Sequence, residues 1–177
     1  MVTEMDDRRG GQGHGPMADV IGETRRALKH LDPTQIEQTV TNLRHARNVF
    51  VVGNGGGMAH ATHFAADLRK IAHKPAFSFD SLPEMTARIN DDGLNLAWLD
   101  WRKTLGFDPA HDVTFIFSVG GAIDGVSTNL AVLNADYGIV GANGARGNRI
   151  VVPSTSTPVI EGCQSVIAHA LVEMLAA

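Results

Sequence analysis

Four side chains able to bind a divalent ion or move a proton stand in two groups along this sequence: His63 and Asp67, then Glu161 and His169. His63 and Asp67 are four apart, so on a helix they share one face and can present an imidazole and a carboxylate to one metal or one substrate. The same spacing also suits an ordinary surface ion pair. Glu161 and His169 are eight apart. At about 100° per residue they differ by about 80° around a helix axis, so both could reach one site from adjacent turns. Val166, Ile167, Ala170, Leu171 and Met174 surround His169, a setting that equally fits a histidine satisfied inside a core. Taken together, two imidazoles and two carboxylates suit zinc or another divalent cation.

Glycine-rich turns adjoin these residues. Gly53-Asn54-Gly55-Gly56-Gly57 permits positive φ and close approach of a ligand to the backbone, and Asn54 adds an amide that both donates and accepts, as sugar hydroxyls require. The turn lacks the final glycine of G-x-G-x-x-G and the Gly-Lys-Ser/Thr end of a P-loop, so no nucleotide cofactor is expected. Ser118-Val119-Gly120-Gly121-Ala122 places glycines where a helix should begin, and backbone amides there could hold an anion. Ser154-Thr155-Ser156-Thr157 is a hydroxyl cluster whose simplest role is to cap the last helix.

The elements that must position these groups follow from periodicity. Asn48–Gly53 is a short β-branched run ended by glycines, and similar runs recur at Ala76–Asp80, Asp112–Ser118, Tyr137–Ala142 and Arg149–Pro153. Helical patterns lie between most of them, near 57–72, 84–105 and 123–135, with a last helix over 158–176. Strands alternating with helices predict a three-layer α/β/α domain around a five-stranded parallel sheet. Ahead of the sheet, an N-terminal helical hairpin is expected over 17–46, its second helix starting at Asp32-Pro33. Residues 1–16 are polar and glycine-rich and are expected to be a disordered tail before a single domain over 17–177. In such sheets ligands bind at the carboxyl ends of the strands, where the glycine turns fall.

Composition narrows the function further. A formal net charge of −4 and an aromatic content of 6% argue against a nucleic-acid groove or a base-stacking platform. A single cysteine, Cys163, excludes an internal disulfide and a cysteine-rich zinc module; it is read as a small buried hydrophobe. No run of apolar residues reaches the ~20 needed to span a membrane, and the N-terminus lacks the apolar core of a signal peptide. A cytoplasmic protein with no membrane partner is expected.

The order of these motifs resembles the sedoheptulose 7-phosphate isomerases (phosphoheptose isomerases) of the sugar isomerase (SIS) superfamily, over about residues 18–177. Gly53-Asn54-Gly55-Gly56, followed by His63-Phe64-Ala65-Ala66-Asp67-Leu68, resembles the family's Gly-Asn-Gly-Gly-Ser and His-Phe-Ala-Glu-Glu-Leu at the same separation. Asn90-Asp91-Asp92-Gly93 resembles its Asn-Asp-Phe-Gly, and the stretch from His169 resembles its last-helix histidine. The resemblance implies interconversion of a ketose phosphate and an aldose phosphate through an enediol, in a homotetramer (or homodimer) with zinc or another divalent ion. Asp67 and His169 fall on the catalytic positions. His63, Asp67, Glu161 and His169 fall on the metal-ligand positions, and Asn54, Gly55, Gly56, Asn90, Asp91 and Ser118 on substrate-contacting ones.

This chain departs from the family at four points. Asp67 replaces a glutamate, Glu161 replaces a glutamine, and Gly57 replaces the serine ending the first turn. The family's Ser-Thr-Ser-Gly-Asn-Ser phosphate loop becomes Ser118-Val119-Gly120-Gly121-Ala122-Ile123, which leaves Ser118 as its one hydroxyl. Each lost charge-assisted bond to phosphate removes roughly 1.5–3 kcal/mol, unless Ser154–Thr157, Arg69, Lys70 or Arg146 substitutes. Two alternatives follow from these departures. One is a different metal-dependent reaction on a non-phosphorylated or nucleotide-linked substrate, and the other is a non-catalytic sugar-binding subunit.

Overall fold

The structure, a computed structural model, describes residues 16–120, 135, 137–145 and 147–177. Helices α1 (Pro16–Lys29) and α2 (Pro33–His45) form the expected N-terminal pair. Asp32 caps α2, its carboxylate accepting from the Thr34 N–H at 2.8 Å, with Pro33 at the first helical position. The strands are β1 (Val49–Gly53), β2 (Ala76–Ser78), β3 (Val113–Ser118), β4 (Tyr137–Gly141) and β5 (Ile150–Val152). All are parallel, in the order β2-β1-β3-β4-β5. Helices α3 (Gly56–Lys70), α4 (Leu82–Asp92), α5 (Leu94–Thr104) and α6 (Thr157–Ala176), with a short 3-10 turn at Ala142–Gly144, complete the described elements.

Alternation along the strands divides the core in two. Val49, Val51, Phe115, Phe117, Ile139 and Ile150 face one side, where α2, α3 and α6 supply Leu43, Phe64, Leu68, Ile160 and Leu171. Phe50, Val52, Ile116 and Val140 face the other, against Met85 of α4 and Trp98 and Trp101 of α5. Both faces are covered, which is why the strand sequences are continuously apolar rather than alternating. The three-layer α/β/α architecture is as expected.

Two sequence expectations change. The helix expected over 84–105 is two helices, broken at Gly93, whose φ of 80° lies in a region an L side chain rarely adopts. The second concerns α6, whose 20 residues are long and apolar enough by composition to cross a membrane. Its apolarity has a nearer cause: Val159, Ile160, Cys163, Ile167, Ala168, Leu171 and Val172 are all buried, and the helix packs on α1, α2, α3 and β4. The expected tail over residues 1–16 lies outside the described residues save for Pro16, which opens α1 instead, and the expected helix over 123–135 lies outside them save for Ala135.

Candidate metal centre and adjoining cavity

The site grows out of the turn between β1 and α3. Gly55 holds φ at 54°, and the Gly57 and Met58 N–H groups donate to the carbonyls of Asn54 and Gly55 at 2.9 and 3.0 Å. This tight turn starts α3 directly beneath β3. A β-carbon on Gly57 would lie 2.6 Å from the Phe117 carbonyl oxygen, so the helix seats here because the residue has none. Ala61, Phe64, Ala65 and Leu68 then pin one face of α3 into the core. His63 and Asp67 stay toward α6, which runs alongside in the same direction because both helices follow parallel strands.

Three of the four expected metal ligands meet. The nearest atoms of His63, Asp67 and His169 all lie within 4.8 Å of one another. His63 Nε2 is 3.1 Å from Asp67 Oδ2 and 3.2 Å from His169 Nε2, and His169 Nε2 is 3.9 Å from Asp67 Oδ2. On the far side of its ring, His169 Nδ1 is 2.7 Å from the Ser165 carbonyl oxygen. A carbonyl accepts, so Nδ1 carries the hydrogen, and in the neutral ring Nε2 turns its lone pair toward Asp67 and His63. A backbone carbonyl holding the outer nitrogen is the usual way a ligating imidazole is oriented. Two imidazoles and a carboxylate converging in this way fit zinc or a similar ion with an open coordination position. The open side is real: the His63 and His169 side chains are 59% and 55% exposed, against 16% for Asp67.

Glu161, the fourth expected ligand, does not join the cluster. Eight residues of helix separate it from His169 by about 12 Å of axial rise, which an 80° difference in angle conceals. It sits one level nearer the glycine turn, where a β-carbon on Gly56 would meet its Oε1 at 2.4 Å. His60, on the same level of α3, has its pKa pushed down by burial, with the Glu161 carboxylate acting in the opposite sense. The groove between α3 and α6 thus has two storeys: His63, Asp67 and His169 in one, Gly56, His60 and Glu161 in the other.

The second storey opens into a cavity of about 160 Å³ lined by Asn54, Gly57, Ser118, Gly120, Glu161 and Gln164 among others. Asn54, Gly56 and Ser118 therefore lie together, around Glu161. Gln164 is the residue sequence reasoning missed. It is fully buried, and its amide nitrogen donates to the carbonyls of Ile139 at 2.9 Å and Ser118 at 3.3 Å. Its Oε1 is buried with no hydrogen-bond partner among the described residues. The available signal was a lone amide three residues after Glu161, flanked by Cys163 and Val166–Ile167.

Other candidates fall elsewhere. Asn90 and Asp91 are exposed in the last turn of α4, hydrogen-bonded to each other at 3.0 Å, and neither lines the cavity. Ser154 is spent on structure: its hydroxyl donates to Glu23 Oε1 at 2.6 Å and accepts from the Ser156 N–H. Arg69 donates to the Ala76 carbonyl oxygen at 2.6 Å, and Arg146 lies outside the described residues. A larger cleft of about 840 Å³ opens at the amino ends of β3 and β4, beside Arg47, Arg102 and Asp112, and shares no residue with the site.

No protein-family model matches the chain. It is 31% identical over 153 residues to the phosphoheptose isomerase of a Bradyrhizobium species, covering 78% of this chain and 76% of that one. It is 29% identical over 149 residues to the phosphoheptose isomerase of a Nitratiruptor species, covering 75% and 78%. Among solved structures, the phosphoheptose isomerase of Neisseria gonorrhoeae superposes with a TM-score of 0.75 at 22% identity over 90% of this chain and 94% of that one. The corresponding enzyme of Francisella tularensis gives 0.74 at 21% identity, over 90% and 93%. By fold, and by similarity over three quarters of its length, the chain belongs to the phosphoheptose isomerase family.

Proposed function

We propose that this protein is a sugar phosphate isomerase that interconverts the ketose and aldose forms of a heptose-like substrate, with a divalent ion at the α3–α6 groove. The observation that carries the reading is the meeting of His63, Asp67 and His169 within 4.8 Å on the two helices that flank the glycine turn. Family relatives named phosphoheptose isomerase supply the substrate class.

Aldose–ketose exchange moves one proton between adjacent carbons and one between their oxygens. The Asp67 carboxylate takes the carbon-bound proton in this reading, giving an enediol, and returns it to the neighbouring carbon. His169 is the partner acid and base. The Ser165 carbonyl keeps its Nε2 facing the cluster, so the ring need not reorient during the exchange. A divalent ion held by His63 and one oxygen of Asp67 would polarise the two substrate oxygens and stabilise the developing enediolate charge, with His169 Nε2 left free of the ion for proton transfer. Asn54 and the backbone of Gly55 and Gly56 would orient the sugar. Because the cluster is open on one side, the same reading includes assembly into a homotetramer that closes it.

The test is metal analysis of the purified protein together with an isomerase assay on a ketoheptose phosphate. A stoichiometric divalent ion is expected, and Asp67→Asn or His169→Ala should lower kcat by about 10²–10⁴-fold. A metal-free protein whose double variant isomerises at the wild-type rate would sink the assignment.

A further inference from the structure

We propose that Gln164 is a positioning residue for proton transfer: by tying α6 to the carboxyl ends of β3 and β4, it sets the height and rotation at which His169 meets Asp67. The kinetic consequence rests on the isomerase reading; the geometric one stands without it.

The rest of the buried face of α6 grips without direction. Val159, Ile160, Cys163, Ile167, Ala168 and Leu171 pack there, and apolar burial depends on area rather than on angle, so it tolerates small slips. Gln164 differs. It is fully buried, and among the described residues it is the one side chain of that face that hydrogen-bonds the sheet. Its amide nitrogen donates to the Ile139 carbonyl of β4 at 2.9 Å and to the Ser118 carbonyl of β3 at 3.3 Å. Both amide hydrogens are thereby used on two neighbouring strands, so a slide or a rotation of α6 stretches at least one bond.

The same stretch of β3 seats the opposite helix. At Gly57, α3 lies so close to the Phe117 carbonyl oxygen that a β-carbon would fall 2.6 Å from it. Consecutive residues of one central strand, Phe117 and Ser118, are thus the common reference for both helices. Beyond its contact, α3 carries His63 and Asp67; beyond Gln164, α6 carries His169 after about 7.5 Å of rise. The Ser165 carbonyl fixes the His169 ring to its own helix, so Nε2 moves as α6 moves. A rotation of α6 by about 10° carries an atom roughly 6 Å from the axis through about 1 Å. That is enough to undo the 3.2 Å approach of His169 to His63 and to change its 3.9 Å separation from Asp67.

The test uses Gln164→Met, which keeps the length of the side chain and removes its donors. Crystal structures of chelator-treated wild type and variant measure the separation of His63 Nε2 from His169 Nε2, which should change by about 1 Å in the variant. A separation within about 0.3 Å of wild type overturns the proposal. Kinetics of metal-loaded protein then distinguish positioning from loosening. Gln164→Met should lower kcat by about 10-fold or more with KM kept within about 3-fold, yet cost less than about 2-fold further in a His169→Ala background. Met85→Ala, on the other face of the sheet, should lower Tm and leave the kcat of folded protein unchanged. An equal loss from Gln164→Met in both backgrounds overturns the proposal, because a general loosening would act alike in each. Should Gln164→Met fail to fold, Gln164→Asn replaces it with the same outcomes, its amide being one methylene too short to reach both carbonyls. Absence of turnover on any ketose phosphate by wild type would sink the isomerase reading alone, and the crystal comparison would then decide the positioning.

Discussion

Replacing Gly57 with alanine tests whether the site depends on how closely α3 is seated beneath β3. The new β-carbon would fall 2.6 Å from the Phe117 carbonyl oxygen and 3.2 Å from its carbon. Carbon–oxygen contacts of this kind settle at about 3.3 Å or more, so roughly 0.7 Å of separation must be found. Neither side yields cheaply. Phe117 is fully buried in the central strand, paired with Gly53 of β1 and Ile139 of β4, and Gly57 is bonded into the turn. Overpacking of this kind costs about 1–3 kcal/mol. For a chain of this size ~2 kcal/mol lowers Tm by about 4–8 °C. The displacement also travels along α3 to His63 and Asp67, and since about 1 Å of misplacement can cost ~10²-fold, kcat/KM should fall by about 10-fold or more. Gly56→Ala is the control, because its β-carbon meets the far end of the Glu161 side chain, which can swing aside. Serine, the residue the family carries at position 57, should behave as alanine does. Calorimetric melting and metal stoichiometry are the readouts. A Gly57→Ala protein that melts within about 1 °C of wild type and keeps its full metal content would refute the close-seating argument.

Three further outcomes are expected. Saturating zinc at ~100 times its Kd should stabilise chelator-stripped protein by about 2.7 kcal/mol, or roughly 5–11 °C in Tm, and His63→Ala should abolish the gain; an undiminished shift in that variant would place the ion elsewhere. Burial pushes the Asp112 carboxyl up, but hydrogen bonds from Arg47, the Asp108 N–H and the Asn48 side chain outweigh it and hold the pKa below its ordinary value. A depressed carboxyl stabilises the fold above its unfolded value of about 3.9 and loses that contribution as pH falls through the folded value, so acid melting of wild type and Asp112→Asn should converge only below about pH 4. Gln164→Leu should cost about 1–3 kcal/mol by stripping donors from the buried Ser118 and Ile139 carbonyls, measured as a shift in the urea midpoint; an unchanged midpoint would mean that those bonds contribute nothing net.

Continuous apolar runs such as Val113–Phe117 identify buried parallel strands, because both faces of the sheet are covered; five such runs were legible, and all five are strands. The break at Gly93 was harder to see, because Asn90-Asp91-Asp92-Gly93 lies inside a stretch whose apolar spacing continues on both sides. His63 and Asp67 were legible as partners because their relation is local to one helix turn. That His169 meets them was not, since a contact across 106 positions depends on how α6 lies against α3. Gln164 escaped notice for a related reason: its amide bonds carbonyls on two strands, and no spacing along α6 encodes those partners.

Glu161 shows why angle alone misleads on a helix. Residues eight apart project toward neighbouring sectors, which made Glu161 and His169 look like ligands of one ion, yet the axial rise of about 12 Å puts them on different levels. The opposite helix repeats the division: Gly56 and His60 face Glu161, while His63 and Asp67 face His169. Because α3 and α6 run in the same direction, a separation of seven or eight positions on one matches a similar separation on the other. The groove therefore separates its side chains by height, with His63, Asp67 and His169 gathered at one level and Glu161 with its cavity at the next.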